Sequence, residues 1–316
     1  MKKIIILNIC LLWFVFPAFN QVQLSQYFLD GTLYNPAFAG SQDAVCTNVF
    51  GRQQWLGLTD SNGNNISPQS LVFNIHAPIF SLHSGLGMNV IYDKAGFETS
   101  LGVKISYNYR FSLKDENKSF AVGIAGSMLN KSIDFSQLTF EQPGDPFLTS
   151  KQKESGVIPD IDLGIEYQQL KKVYFGVSAI NLMESSANIG NVKYRQNRYF
   201  YATTGYYFNL AARGNKSLYI IPSLLVKSDL NNMQIDINSR IEYNSVYWAG
   251  VSWRYQDAAA LMAGVTLKGL RIGASYDLTT GNLSKVSNGS IEFFLGYCYT
   301  IQPKVKLSSF YNTRYL

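Results

Sequence analysis

The sequence predicts an all-β fold, a transmembrane antiparallel up-and-down β-barrel of about 14 strands with an N-terminal segment at or in the lumen. Three observations point there. Apolar and polar residues alternate with period two over windows of about ten residues, the length of a tilted strand crossing a bilayer. The windows number fourteen, an even count of the kind single-chain bacterial barrels have. Their connections sort by parity, short ones alternating with long ones, as when tight turns face one side of a membrane and loops the other.

Residues 1–20, "MKKIIILNICLLWFVFPAFN", have the form of a signal peptide. Lys2 and Lys3 precede an apolar run, 4–16, too short to span a bilayer comfortably. Cleavage is expected near Gln21, and Cys10 lies inside the apolar run rather than at a lipid-attachment position. Residues 21–41 come next and contain "TLYNPAFAGS". Asn35 and Pro36 set a turn there, Gly40 ends it and Phe38 supplies an anchor. This segment is expected to fold against the lumen or the periplasmic rim and narrow the pore; an ordinary lead-in turn is the plainer reading.

The barrel is expected over 42–301, with strands near 44–55, 69–78, 84–92, 97–111, 118–130, 160–169, 172–180, 198–210, 216–228, 233–244, 246–256, 258–268, 269–278 and 289–301. Leu101, Val103, Ile105, Tyr107, Tyr109 and Phe111 form one face of the fourth, against Gly102, Lys104, Ser106, Asn108 and Arg110. Connections 56–68, 131–159, 181–197 and 279–288 are long and polar, whereas 79–83, 112–117, 170–171, 211–215, 245 and 269 are short. The short links 93–96, 229–232 and 257 break the sorting. Tyr107, Tyr109 and Phe111, Tyr297 and Tyr299, and Tyr199 and Tyr201 cluster at strand ends, where amphipathic rings form interfacial girdles.

The alternate face carries Asp160, Asp162, Glu166, Asp236, Arg240, Glu242, Arg254, Arg271, Asp277 and Glu292. A dry core would not accept so many charges, but a wet or plugged lumen can. Arg240 and Arg254 are expected near Asp236 or Glu242, as a structural charge ladder. Cys46 and Cys298 fall in the first and last strands, neighbours in a closed barrel, where the Cα separation decides whether they pair. The tail 302–316, with Lys304, Lys306 and Arg314, is expected in the periplasm, as a docking element or a solvated end.

Other chemistries lack their signatures. The formal charge is +6, with Lys and Arg dispersed, so no nucleic-acid partner is implied. His76 and His83 have no zinc spacing and read as surface or girdle residues. Ser252 and Ser275 follow a Gly by two positions without the second Gly of a nucleophile elbow. "GLGMNV" lacks the last Gly of a dinucleotide loop. No cofactor or metal is expected, and the protein reads as non-enzymatic.

In order and spacing, "QYFLDGTLYNPAFAGS" (26–41), "RQQWLG" (52–57), "SPQSLVFNIHAPI" (67–79), "GLGMNVIYDKAG" (85–96), "YFGVSAINLME" (174–184), "RYFYATTGYYF" (198–208), "LRIGASYDLTTGNLS" (270–284) and "YNTRYL" (311–316) resemble the PorP/SprF family. These are outer-membrane proteins of the type IX secretion and gliding machinery of Bacteroidota. Gly31 to Leu33 and "LGLTDSNGNN" (56–65) depart from the family's wording. The resemblance implies an outer-membrane barrel that helps export or anchor a cell-surface protein such as a gliding-type adhesin. Its partners would be outer-membrane lipid, the secreted passenger at the extracellular loops or lumen, and periplasmic type IX components. Phe135, Phe140, Phe147 and Met183, in the longest loops, are then the candidate passenger contacts. A general or substrate-selective porin is the alternative, and a soluble β-rich surface protein a third.

Overall fold

The computed structural model describes residues 22–60, 63, 65–113, 117–137, 152–213 and 216–301. Strand β1 spans Ala44–Gln53, β2 Gln69–Ile79, β3 Ser84–Ala95, β4 Glu98–Ser112, β5 Lys118–Asp134, β6 Lys153–Gln169 and β7 Val173–Ile180. A small hairpin follows, β8 Ser186–Ile189 and β9 Val192–Arg195. The wall resumes with β10 Tyr199–Tyr206, β11 Phe208–Arg213, β12 Lys216–Ser228, β13 Met233–Tyr243, β14 Tyr247–Arg254, β15 Ala258–Leu267, β16 Leu270–Thr279 and β17 Ser290–Thr300. Hydrogen bonding joins fifteen of these into one sheet, with β10 and β11 successive halves of a single stave, so the wall has fourteen staves. β10 pairs with both β7 and β12, and β1 pairs with β17 from Ala44↔Thr300 to Gln53↔Ile291, which closes the cylinder. All these pairings are antiparallel.

Alternation decides which side each residue faces. Ile105 and Phe293 stand 60 % exposed on the outside, beside Met128, Ile237 and Leu261. So continuous an apolar belt is a liability in water and a match for hydrocarbon. Tyr109 meets Phe111 edge-on at 4.8 Å and Tyr206 lies tilted against Phe208 at 4.6 Å near the tight turns, and Trp253 meets Tyr255 edge-on at 5.8 Å near the loops. Rings therefore gird both rims.

Tyr199 and Tyr201 do not belong to that girdle. They point inward, Tyr201 only 3 % exposed, and pack on the segment that fills the lumen. Both faces of this strand carry aromatics, so alternation alone leaves its orientation open.

The two long loops also differ from expectation. β5 and β6 are 17 residues each and pair along their whole length, β6 running well past its last partner in β7, which shortens the loop between them. Within 181–197, β8 and β9 fold over the mouth, burying Ile189 against Ile133 and Phe135. This roof is tied down by carboxylates. Asp160 accepts the Met183 and Ser185 amides at 2.9 and 3.2 Å, and Asp162 accepts that of Asn181 at 2.9 Å.

Candidate functional site

The lumen is occupied by the chain's own residues 22–41. Two single-turn 3₁₀ segments, Tyr27–Leu29 and Pro36–Phe38, compact this plug. Asn35 starts the second: its side-chain oxygen accepts the Ala37 amide at 2.9 Å, and Pro36 supplies the fixed φ of a first turn. The Asn35 amide also donates to the Ile165 carbonyl at 2.9 Å, fastening the turn to β6. Gly40 leaves the plug at φ +71° against Ala77 and Pro78, in the left-handed region where glycine is unstrained.

The wall has a seat shaped for this backbone. One register row runs Gly85↔Asn108↔Gly123↔Gly164↔Ser178 across β3 to β7. A Cβ on Gly85 would meet the Ala39 carbonyl, on Gly123 the backbone of Pro36 and Ala37, and on Gly164 the Asn35 side chain. The two polar members of the row bond the plug instead. Asn108 donates to the Ala37 and Ala39 carbonyls at 2.8 and 2.6 Å, and Ser178 to that of Tyr34 at 2.5 Å. His76 accepts the Gly40 amide at 3.2 Å. It is therefore a buried lumen residue and not the surface or girdle residue expected, because β2 turns it inward beside the plug's exit; His83 is exposed in the β2–β3 turn.

A second row, Asn48↔Asn74↔Asn89, forms a ladder of side-chain amides. Asn48 donates to Asn74 at 3.0 Å, Asn74 to Asn89 at 3.0 Å, and Asn48 also to Asp30 at 2.8 Å. The Thr32 amide donates to Asp30 at 2.8 Å and its hydroxyl to Asn89 at 3.0 Å. Polar plug groups removed from water thus meet polar wall groups.

The plug's N-terminal end is held near the loop end by charge. Glu292 accepts the Ser25 and Gln26 amides at 2.8 and 2.9 Å, and Asp277 the Ser25 hydroxyl at 2.6 Å. Arg52 bridges Asp277 and Glu292 at 2.8 and 3.1 Å. Arg254 contacts Asp236 at 3.3 Å, Asp257 at 3.0 Å and Asp277 at 3.6 Å, and donates to Ser25 at 3.2 Å. Two guanidiniums among four carboxylates offset one another's desolvation, whereas removal of one partner from such a buried pair costs about 3–5 kcal/mol. Deeper in, burial pushes the Tyr34 phenol well above its ordinary range, and the neutral hydroxyl accepts the Leu24 amide at 3.3 Å.

Of the charges expected in the lumen, Asp236, Arg254, Asp277 and Glu292 meet in this latch, together with Arg52. Arg240 lies apart toward the tight turns, 4.0 Å from Glu242 and stacked 4.4 Å over Phe28. Arg271 donates to Asn48 at 2.7 Å and to the Leu29 carbonyl at 3.4 Å. Lys104 and Asp162, 2.7 Å apart, add a further buried pair. Phe135 is buried under the roof and offers nothing to a partner in this arrangement, while Met183 is 58 % exposed. Phe140, Phe147, Lys304, Lys306 and Arg314 lie outside the described residues. Ser25 and Arg52 were not singled out from sequence; Arg52 falls on the inward parity of its strand, but nothing marks Ser25. Cys46 and Cys298 face each other across the β1–β17 seam and are joined by a disulfide, with Cα atoms 4.1 Å apart.

Two of the cavities that plug, wall and roof leave among the described residues bear on ligand binding. One, about 250 Å³, lies under the roof beside Tyr34, Tyr199 and Tyr201. The other, about 330 Å³, reaches Gln42 and Ser245 at the tight-turn end.

No curated protein matches the chain. Among solved structures it is similar to a Pseudomonas aeruginosa FadL homologue, at 11% identity over 86% of this chain and 94% of that one, with a TM-score of 0.45. It is also similar to the Ralstonia pickettii toluene transporter TbuX, at 10% identity over 86% and 93%, with a TM-score of 0.48. The β domain of the Bordetella autotransporter Brka gives 10% identity over 82% and 99%, with a TM-score of 0.42. None of these likenesses bears on function. A model of the type IX secretion system membrane proteins PorP/SprF matches residues 17–297, nearly the whole chain. Joined to a closed cylinder belted with apolar side chains, that match makes this chain a member of the PorP/SprF family of type IX secretion system membrane proteins, an integral β-barrel of the outer membrane.

Proposed function

We propose that this barrel is a non-enzymatic holding element of the type IX machinery, which keeps a secreted surface protein of adhesin type at the outer face. One observation carries the reading: the lumen is filled by residues 22–41, pinned at one end by the glycine row and at the other by the Glu292 latch. A channel so obstructed suits attachment better than conduction. The contact surface is the loop end, where the β8–β9 roof and exposed Met183 stand beside the long β5 and β6 strands; Phe140 and Phe147 belong to the same proposed surface. On the tight-turn side, the tail with Lys304, Lys306 and Arg314 would meet periplasmic components of the system.

Two measurements test this. In planar bilayers the full-length barrel should show no steady conductance, whereas deletion of 22–41 should open one. Capture in mild detergent should co-purify a secreted surface protein with the intact barrel and lose it when 185–196 is replaced by a short Gly-Ser link. Large steady channels from the intact barrel would instead favour the porin reading, and retention of the passenger without the roof would remove the proposed surface.

A further inference from the structure

The cavity of about 330 Å³ at the tight-turn end is lined by Arg271, which holds Asn48 and the Leu29 carbonyl, and by three charges that the latch and the plug's seat do not use, Glu166, Arg240 and Glu242. Glu166 lines it and is only 6 % exposed. Among the described residues its carboxylate has no hydrogen bond and no ion pair. Arg110 lies within electrostatic reach but donates to the Ala39 carbonyl at 3.3 Å. A buried carboxylate is ordinarily matched by a donor, so an unmatched one facing a cavity marks where a cationic or N–H group of a ligand would sit.

Arg240 is the complementary group. Its guanidinium is stacked on Phe28 at 4.4 Å, and the Glu242 carboxylate comes no nearer than 4.0 Å, beyond hydrogen-bonding distance. Among the described residues none of its five N–H groups is engaged in a hydrogen bond. Stacking holds the planar fork in place, and such a fork takes a carboxylate by two parallel bonds. Tyr174 lies within electrostatic reach of both Glu166 and Arg240, and with Phe28 and Trp248 it gives the cavity aromatic walls.

We propose that this cavity binds a small zwitterionic ligand of dipeptide size bearing an apolar side chain. The ligand's carboxylate lies on Arg240, its ammonium on Glu166 and its side chain on the rings. The opening toward Gln42 and Ser245 places entry on the periplasmic side. The inference does not depend on the holding role, since it concerns the opposite end of the barrel.

The test is calorimetric titration of the detergent-solubilised full-length protein with three probes: Gly-Phe, its N-acetyl derivative without the ammonium, and its C-terminal amide without the carboxylate. Gly-Phe is expected to bind saturably, and each blocked form about tenfold to a hundredfold more weakly, the loss of one charge-assisted contact. Arg240→Gln should abolish the preference for a free carboxylate while keeping that for a free ammonium, and Glu166→Gln should do the reverse. Unchanged heat-modifiable migration would show that each variant is folded. Absence of saturable Gly-Phe binding up to about 10 mM, or equal binding of the three probes by the wild-type barrel, would overturn the proposal without reference to any variant. So would variants that leave both preferences intact.

Discussion

Gly123 shows how narrow the tolerance is where the plug meets the wall. A methyl there would lie 2.6 Å from the Pro36 carbonyl carbon, and the obstacle is backbone, which cannot swing aside as a side chain would. Gly126, three residues on, has nothing within 4 Å of the same position. Gly123→Ala should therefore destabilise the barrel by about 1–3 kcal/mol, with plug residues cut faster by protease, while Gly126→Ala should do neither. Urea unfolding and timed proteolysis of the two variants would check this. At this scale the sequence speaks unevenly. The outward row Leu101 to Phe111 is legible because only apolar side chains satisfy hydrocarbon. Gly85, Gly123 and Gly164 are visible as small inward residues, but their alignment depends on pairing register, and a missing side chain says nothing of what lies against it. His76 misleads for a similar reason: its parity puts it inward, yet the Gly40 amide it serves belongs to a segment without period.

Among the elements, the wall strands were readable and the roof was not. Each stave repeats with period two long enough to be counted, and the bounds fell within a few residues except where β5 and β6 continue past the rim. β8 and β9 have four residues each, too few for alternation to stand out from a polar loop. The roof is held instead by Asp160, which accepts the amides of Ile161, Met183 and Ser185 at 2.8, 2.9 and 3.2 Å. Asp160→Ala leaves those amides without their acceptor, a local cost of about 1–3 kcal/mol. We expect protease to cut 183–197 several-fold faster in that variant while the barrel keeps its heat-modifiable migration. An unchanged cleavage rate would mean that the Ile133, Phe135 and Ile189 cluster holds the roof alone.

For the whole molecule, closure is the governing fact. Parity of loop length and an even strand count made a closed cylinder legible, because a sheet in lipid cannot leave an edge unpaired. That the cylinder is filled was only partly legible: Asn35, Pro36 and Gly40 announce a turn before the first strand, but irregular backbone does not reveal how far it penetrates. The Cys46–Cys298 disulfide ties the first stave to the last. Its reduction should lower stability by about 2–5 kcal/mol, read as a fall in the urea midpoint. The Cys46→Ser/Cys298→Ser double variant should match the reduced wild type and no longer respond to reductant.

That same bond sits beside the point where residues 22–41 enter the cylinder. Once it forms, a segment still outside would have to thread into a closed cylinder while carrying side chains as broad as Tyr27, Phe28 and Tyr34. Biogenesis is thus expected to follow a fixed order, with the leading segment laid down early, the staves wrapped around it and the sulfurs oxidised last. In a pulse-chase experiment, protection of 22–41 should precede appearance of the oxidised species.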